Sequence, residues 1–380
     1  MNPCVLHSPI WDDDSPRVDL PQLSGALSVD ACVVGLGGTG LSAIATLVDA
    51  GLRVVGVDRV GIAAGAAGRN GGFLLAGVAD FHHRARTRLG ALRATGLYRA
   101  TSDALARWYR DAPGHTRQTG SLRIAANPLE LDDCRRQADA LSADGFAVEF
   151  YDGIQGKGLL FPGDGVFHPG RHWNALATDL LGRGARMFGS SPVLEVAVGR
   201  VSTALGEVRA PRILICVDGG LERLLRFPIH PVRSARLQML AIAAQSPSVD
   251  RPVYFRDGHD YWQQLADGRI ALGGGRDIGG AAEWGAGAAP GEVVQDYLDG
   301  VARRQFGASI AITHRWAAEV AYSEDGLPVF GEMAPGLFAS GAYSGTGNVL
   351  GALCGHALAE LSLARPNEIA ELLGDRALVV

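Results

Sequence analysis

Gly35, Gly37, Gly38 and Gly40, with Thr39 among them, are followed about twenty positions later by Asp58 and Arg59. Glycines at Gly-x-Gly-x-x-Gly spacing with a downstream acid are the residue types that hold the diphosphate and ribose of a dinucleotide. Gly35 permits a tight turn, Gly37 lets backbone approach a pyrophosphate, and Gly40 lets a helix lie close to a strand, its N-terminus facing the anion. Asp58 would accept hydrogen bonds from an adenosine ribose.

These residues need elements to position them, and the flanking pattern supplies them. The apolar run Ala31 to Val34 leads into the glycines, Leu41, Ile44, Ala45 and Val48 recur at helical spacing, and Arg53 to Val57 reads as a second strand ending at the acid. A glycine-rich turn in a parallel sheet without a nucleotide is the plain alternative, and the complete strand, turn, helix and strand order favours the nucleotide. A second glycine-dense segment runs from Gly61 to Gly72 and contains Ala67, Gly68, Arg69, Asn70 and Gly71. Its glycines suggest backbone passing close beneath a flat or charged ligand. Near the C-terminus Phe338 to Gly341 reads as a short strand, Gly345 and Gly347 flank a polar turn, and an apolar helix runs from Val349 to about Leu363.

The chain has 380 residues, long for a single core, so two domains are expected. With 47% hydrophobic and 20% charged residues it has the composition of a soluble globular protein. A net charge of −5 and the lack of a basic run argue against nucleic acid. Cys4, Cys32, Cys134, Cys216 and Cys354 show no metal spacing and read as reduced thiols, which points to a reducing compartment. His82-His83 reads as a solvated pair, and no metal site is expected. Two uncharged stretches, Ala31 to Val48 and Pro335 to Ala359, are respectively the nucleotide unit and too polar and glycine-broken for a membrane span. The acidic start, with Asp12 to Asp14, is unlike a signal peptide, so a cytoplasmic protein with no integral membrane segment is expected.

Gly68-Arg-Asn-Gly-Gly72 resembles the hallmark of the flavin amine oxidoreductases of the D-amino-acid oxidase superfamily, which includes gamma-glutamylputrescine, glycine and sarcosine oxidases. The likeness continues at His168-Pro169, at Pro231 to Leu240, at Asp260 to Asp277 with a turn at Ala266-Asp267-Gly268, at Trp316 to Gly331, and at Ala339 to Val349. It implies an α/β protein, α+β overall, with a Rossmann-like FAD-binding domain and an interleaved antiparallel-sheet substrate domain. Residues 29–88, 150–232 and 312–380 would form the FAD-binding domain, 89–149 and 233–311 the substrate domain, and 1–28 an N-terminal extension. In addition to the residues above, Val193, Gly341, Gly345, Thr346, Gly347, Asn348 and Val349 would contact FAD. Gly96 to Asp111 and Pro128 to Asp144 read as helices with a strand from Gly120 to Ala126 between them, and Gly279 to Gly291 reads as a flexible loop.

The resemblance implies oxidation of the carbon beside an amine nitrogen, with hydride transfer to flavin N5 and hydrolysis of the resulting imine. Tyr254, His259, Tyr261, Trp262 and Tyr343 are placed around a substrate ammonium or alkyl chain, with sheet packing as the alternative for Tyr254 and Trp262. Relatives that grip an α-carboxylate carry an arginine or a lysine where this chain has Val320 and Val349, which favours an amine without an adjacent carboxylate. Arg276 is the alternative grip, or a partner for Asp277 or another nearby acid. No cysteine lies in Ala321 to Glu324, where sarcosine oxidases attach flavin, so FAD is expected to be noncovalent. Those enzymes activate oxygen with a lysine where this chain has Ala271, so electrons would pass to oxygen or another acceptor, such as a quinone. A tailoring oxidase of a specialised metabolite and a non-catalytic FAD-binding protein, the latter suggested by Ala67, Val320 and Val349, stay open.

Overall fold

A parallel sheet is built where the glycine pattern requires one. In a computed structural model, which describes residues 5–15, 17–225, 231–245, 249–285 and 287–374, six strands run in the order Arg186–Phe188, Val54–Val57, Ala31–Val34, Arg212–Ile215, Leu337–Gly341 and Val329–Ala334. All neighbours are parallel except the last pair. Ala31–Val34 and Val54–Val57 are buried along their whole length, as expected for strands covered on both faces. The helices Gly38–Asp49 and Val349–Ser362 pack against each other at closest approach, where a Cβ on Gly355 would meet the Thr39 carbonyl at 2.1 Å. A second, four-stranded sheet joins Gly25–Ser28, Gly206–Arg209, Arg200–Thr203 and Val193–Ala197. These elements belong to one compact unit, residues 14–68, 169–234 and 319–380.

The other unit comprises residues 1–13, 69–168 and 235–318. Most of an eight-stranded sheet lies in it, in the order Ile312–Ser323, Val232–Ile242, Ile270–Gly274, Asp260–Gln264, Val253–Phe255, Ser121–Ile124, Gly156–Phe161 and Glu149–Gly153, the first two strands running a few residues past its bounds. The hairpin at Ala266 to Gly268 forms as the turn residues direct. On one face Leu122, Val253, Trp262 and Leu272 pack with Val294, Leu298 and Val301 of the helix Glu292–Phe306. The helix expected from Gly96 begins earlier, as Ala91–Asp111, while Pro128–Ala143 forms close to its expected bounds, starting at an Asn127 side chain that accepts from Glu130 N.

Three expectations differ. Residues 5–13, read as part of an extension, are built into the second unit: Ile10 and Trp11 are fully buried with Met239, Ala241, Ala271 and Trp316. Residues 69–88 and 150–168, expected in the FAD-binding domain, also belong to this unit. The reason at 69–72 is that their backbone bonds to Trp11, Trp316, Gln263 and Phe167 of the same unit. In the stretch read as a flexible loop, Gly280–Glu283 forms a short helical turn, where buried Glu283 pairs with Arg236 at 2.7 Å and accepts from Gln238.

Cys32, Cys134, Cys216 and Cys354 are buried free thiols, and Cys4 lies outside the described residues. No helix among the described residues is long and apolar enough to cross a membrane.

Candidate functional site

Gly35 adopts φ +97°, and a Cβ there would lie 2.5 Å from the Cys216 carbonyl, so both conformation and space demand glycine. A Cβ on Gly40 would meet the Gly35 carbonyl at 1.8 Å, which is the close helix-to-strand approach the spacing predicts. Above Gly37 the nearest neighbour of such a Cβ is the Ala67 methyl at 3.5 Å. No side chain caps the helix that begins at Gly38, although Gly38, Thr39 and Gly40 are buried. Its first-turn amides therefore lack a side-chain acceptor at the positive end of the helix dipole, an arrangement that fits a diphosphate.

Asp58 stands at the end of its strand as expected. Its carboxylate accepts from Leu36 N at 3.0 Å, Val60 N at 2.7 Å and Gly61 N at 3.0 Å, tying the glycine turn to the loop after the second strand. A carboxylate offers about four acceptor positions, so capacity for a ribose hydroxyl is left. Arg59 is exposed and pairs with Glu319 at 3.4 Å. Glu319 also binds Arg223 at 2.7 Å, and that hydrogen bond is the main reason its carboxyl lies below the usual range.

The segment from Ala67 to Gly72 is held by its own carbonyls. In the first unit, Trp173 Nε1 donates to the Ala67 carbonyl at 3.2 Å, and a Cβ on Gly68 would strike the Ala63 carbonyl at 2.2 Å. In the second unit, Trp316 donates to Arg69 O and Trp11 to Asn70 O, each at 2.8 Å, Gln263 donates to Gly71 O, and Phe167 N donates to Gly72 O at 2.9 Å. Arg69 Nε reaches the Ala317 carbonyl, and the Asn70 side chain accepts from Gly72 N. The tryptophan anchors were not visible in the sequence; their signal is that a buried indole N–H needs an acceptor.

The C-terminal loop also departs from regular geometry. Ala342 and Ser344 have φ of 60° and 53°, left-handed values that non-glycine residues seldom adopt. Asp218, which sequence reasoning missed, holds this loop: it is half-buried and accepts from Tyr343 N at 3.1 Å and Ala321 N at 3.2 Å. Burial pushes its carboxyl up to about 6 against the effect of those amides. Gly341 ends its strand, Gly345 has φ +95°, and Thr346 bonds back to the Tyr343 carbonyl. A Cβ on Gly347 would touch the Tyr343 ring at 3.2 Å, and Asn348 and Val349 open the last long helix, whose start no side chain caps. Val193 begins a strand of the four-stranded sheet.

The proposed substrate residues separate. Tyr343 is buried, and its hydroxyl takes part in 2.9 Å hydrogen bonds with Thr39 and Ser340. It locks the two helix starts together rather than presenting a free hydroxyl to a substrate, and burial holds its pKa well above the ordinary value. Tyr261 and Trp262 are successive strand residues and therefore point to opposite faces. Trp262 packs under the helix Glu292–Phe306, which removes it from any shared substrate wall. Tyr261 and Tyr254 pair across the sheet on the other face, and their rings form a cluster with Phe73, at centroid distances of 5.1 to 5.9 Å. The Tyr261 ring fits between Gly71 and Gly273, where added Cβ atoms would come within 3.2 and 2.6 Å of it.

Arg276 lies over the Trp284 ring at 5.4 Å, while Asp277 takes Arg256 as its partner at 3.0 Å. His259 lies 3.8 Å from Asp277. His82 is buried and bonds Asp144 at 2.7 Å, so it is not a solvated residue. No cluster of metal-ligating side chains occurs among the described residues.

Residues 30–361 match the model of the family described as DAO, FAD dependent oxidoreductase. The chain is 25% identical to the probable oxidoreductase OrdL of Rhizobium meliloti, with 93% of this chain and 87% of that protein aligned. It is 24% identical to gamma-glutamylputrescine oxidoreductase of Escherichia coli, over 89% and 84% of the two chains. Glycine oxidase from Geobacillus kaustophilus shares the fold, with a TM-score of 0.75 at 19% identity, over 90% of this chain and 96% of that one. The glycine turn, the acid at its edge and the family match agree: the chain belongs to the DAO family of FAD-dependent oxidoreductases.

Proposed function

We propose that the protein uses noncovalently held FAD to oxidise the C–N bond of a small amine or amino acid to an imine, which water hydrolyses to a carbonyl. The observation that carries this reading is the aromatic cluster of Phe73, Tyr254 and Tyr261 seated directly against Gly71 of the Arg-Asn-Gly-Gly segment. Aromatic faces attract an ammonium, pack its methylenes and keep water away from a reacting carbon. When bound, FAD supplies the electron sink that accepts a hydride equivalent from the carbon beside the amine nitrogen. Gly35 to Gly40, Asp58 and the loop held by Asp218 would carry its polar parts.

Val320 and Val349 are both buried and apolar, which supports an amine with no carboxylate on the reacting carbon. The chain's one lysine, Lys157, pairs with Asp152 on an exposed hairpin, so oxygen activation by a lysine has no support, and the acceptor is oxygen or another oxidant such as a quinone. The E. coli relative named for gamma-glutamylputrescine makes acylated diamines the first class to try.

Anaerobic mixing of the FAD-loaded protein with diamines, acylated diamines and amino acids of both hands tests the reading. Bleaching of the flavin absorption near 450 nm by at least one amine is expected, with acylated diamines faster than α-amino acids. Absence of bleaching across the panel overturns the enzymatic reading, and preference for an α-amino acid overturns the inference from the two valines.

A further inference from the structure

Three successive backbone carbonyls of the Arg-Asn-Gly-Gly segment are each taken by a buried side-chain donor of the same unit. Trp316 Nε1 donates to Arg69 O and Trp11 Nε1 to Asn70 O, each at 2.8 Å, and Gln263 Nε2 donates to Gly71 O. A trans peptide holds its C=O and the following N–H antiparallel, and no cis bond occurs among the described residues, so anchoring a carbonyl also aims an amide. The N–H groups of Asn70, Gly71 and Gly72 therefore each point away from the donor that holds the preceding carbonyl. Gly72 N–H is used within the segment, by the Asn70 side chain at 2.7 Å. Gly71 is buried, and its N–H meets no acceptor among the described residues. A buried amide left unpaired is costly, and an acceptor on a bound ligand relieves it.

The donor that aims Gly71 N–H is Trp11, which comes from the segment before the first sheet rather than from the sheet itself. That segment is strapped along the edge strand Ile312–Ser323: Leu6 N donates to Thr313 O and Arg315 N to Leu6 O, both at 2.9 Å. Farther on, Asp13 pairs with Arg269 and, at 3.2 Å, with His314. Between these ties Ile10 and Trp11 are buried, and a Cβ on Gly72 would come within 3.2 Å of the Trp11 ring. A buried indole needs an acceptor for its N–H, and any sheet carbonyl would satisfy a residue that only fills the core. Here the acceptor is the carbonyl of the one peptide whose N–H is left unused.

We propose that Trp11 is a positioning residue for the flavin: by holding the Asn70 carbonyl it aims Gly71 N–H at the ring, where that donor stabilises the negative charge the ring gains on reduction. The N-terminal strap thus sets how readily the cofactor accepts electrons, although Trp11 acts only through the Asn70–Gly71 peptide. Hydrogen bonds to the ring are among the few means by which a protein tunes a flavin. The proposal rests on the FAD part of the reading above and does not depend on which amine is oxidised.

The two-electron potential of the bound flavin tests this without any amine, by reducing the FAD-loaded protein slowly with xanthine and xanthine oxidase beside a dye of known potential. Trp11→Phe keeps a ring in the core and removes the donor; it should make reduction about tenfold less favourable, a fall of about 30 mV. Ile10→Val loosens the same buried strap while keeping the indole N–H, and should lower the unfolding temperature with the potential unchanged. If Trp11→Phe does not retain FAD, replacement of Trp11 by benzothienylalanine, which has the shape of tryptophan with sulfur in place of N–H, carries the same expected fall. The proposal is overturned if the potential stays at the wild-type value when the N–H is removed, or if Ile10→Val shifts it as much. If the potential falls as expected while no amine reduces the flavin, the role of Trp11 stands and the amine-oxidising reading falls.

Discussion

Gly40→Ala is expected to yield protein that has lost FAD, with flavin per chain down more than tenfold after purification. The new Cβ would sit 1.8 Å from the Gly35 carbonyl, so the helix Gly38–Asp49 must shift away from the strand Ala31–Val34. Neither side yields readily: Gly35 N is tied to the Val57 carbonyl at 2.8 Å, and Thr39 is pressed against Gly355. The shift displaces the amides that would face the diphosphate and costs about 1–3 kcal/mol in packing. Gly37→Ala is the informative partner, because its methyl meets only the Ala67 methyl at 3.5 Å. It should leave the melting temperature of the FAD-free protein unchanged while weakening FAD binding. The measurement is the ratio of 450 to 280 nm absorbance together with thermal unfolding. Wild-type flavin content in Gly40→Ala would contradict the placement of the diphosphate.

The second large effect concerns Asp164, whose carboxyl burial pushes up to about 7 from 3.8. A carboxyl with a raised folded-state pKa holds its proton in the native state after the unfolded chain has released it. Native stability is therefore favoured most below the unfolded value and lost as pH rises through the folded one. Asp164→Asn removes this dependence while keeping an acceptor for Ala76 N and placing an amide N–H that can donate to Ser121 Oγ. Relative to wild type, the variant should gain stability between pH 4 and pH 8, by up to about 4 kcal/mol from three pKa units. Denaturant unfolding at several pH values reads this difference, and any constant cost of the asparagine cancels from it. Parallel pH profiles for the two proteins would show that Asp164 is not held neutral by burial.

The dinucleotide unit was legible because its signals are local. Gly35, Gly40 and Asp58 each answer a requirement set within thirty residues, and the strand Ala31–Val34 and the helix Gly38–Asp49 form where the apolar pattern puts them. The same holds for the turn at Ala266 to Gly268 and the last long helix. The substrate side was less legible because its geometry is set by long-range pairing. Sequence spacing placed Tyr261 and Trp262 together, and the pleat sends one toward Tyr254 and Phe73 and the other into the opposite core. Tyr343 precedes the flavin loop as expected, yet its hydroxyl is engaged by Thr39, 304 positions away.

Asp218 and Asp164 carried no sequence signal at all. Each matters through amides or hydroxyls brought to it by other strands, and nothing adjacent in the chain distinguishes it from a surface acid. The left-handed Ala342 and Ser344 were likewise invisible, since neither residue type announces a positive φ. Trp11 lay in a segment set aside as an extension, although a tryptophan beside an isoleucine near a chain end is a reason to expect burial.

The most direct measurement is the flavin content of the folded protein before and after acid precipitation. Wild-type protein reconstituted with excess FAD and desalted should release about one FAD per chain into the supernatant, leaving a colourless pellet. Failure of well-folded protein to take up FAD would contradict the cofactor assignment itself, and a yellow pellet would contradict noncovalent binding.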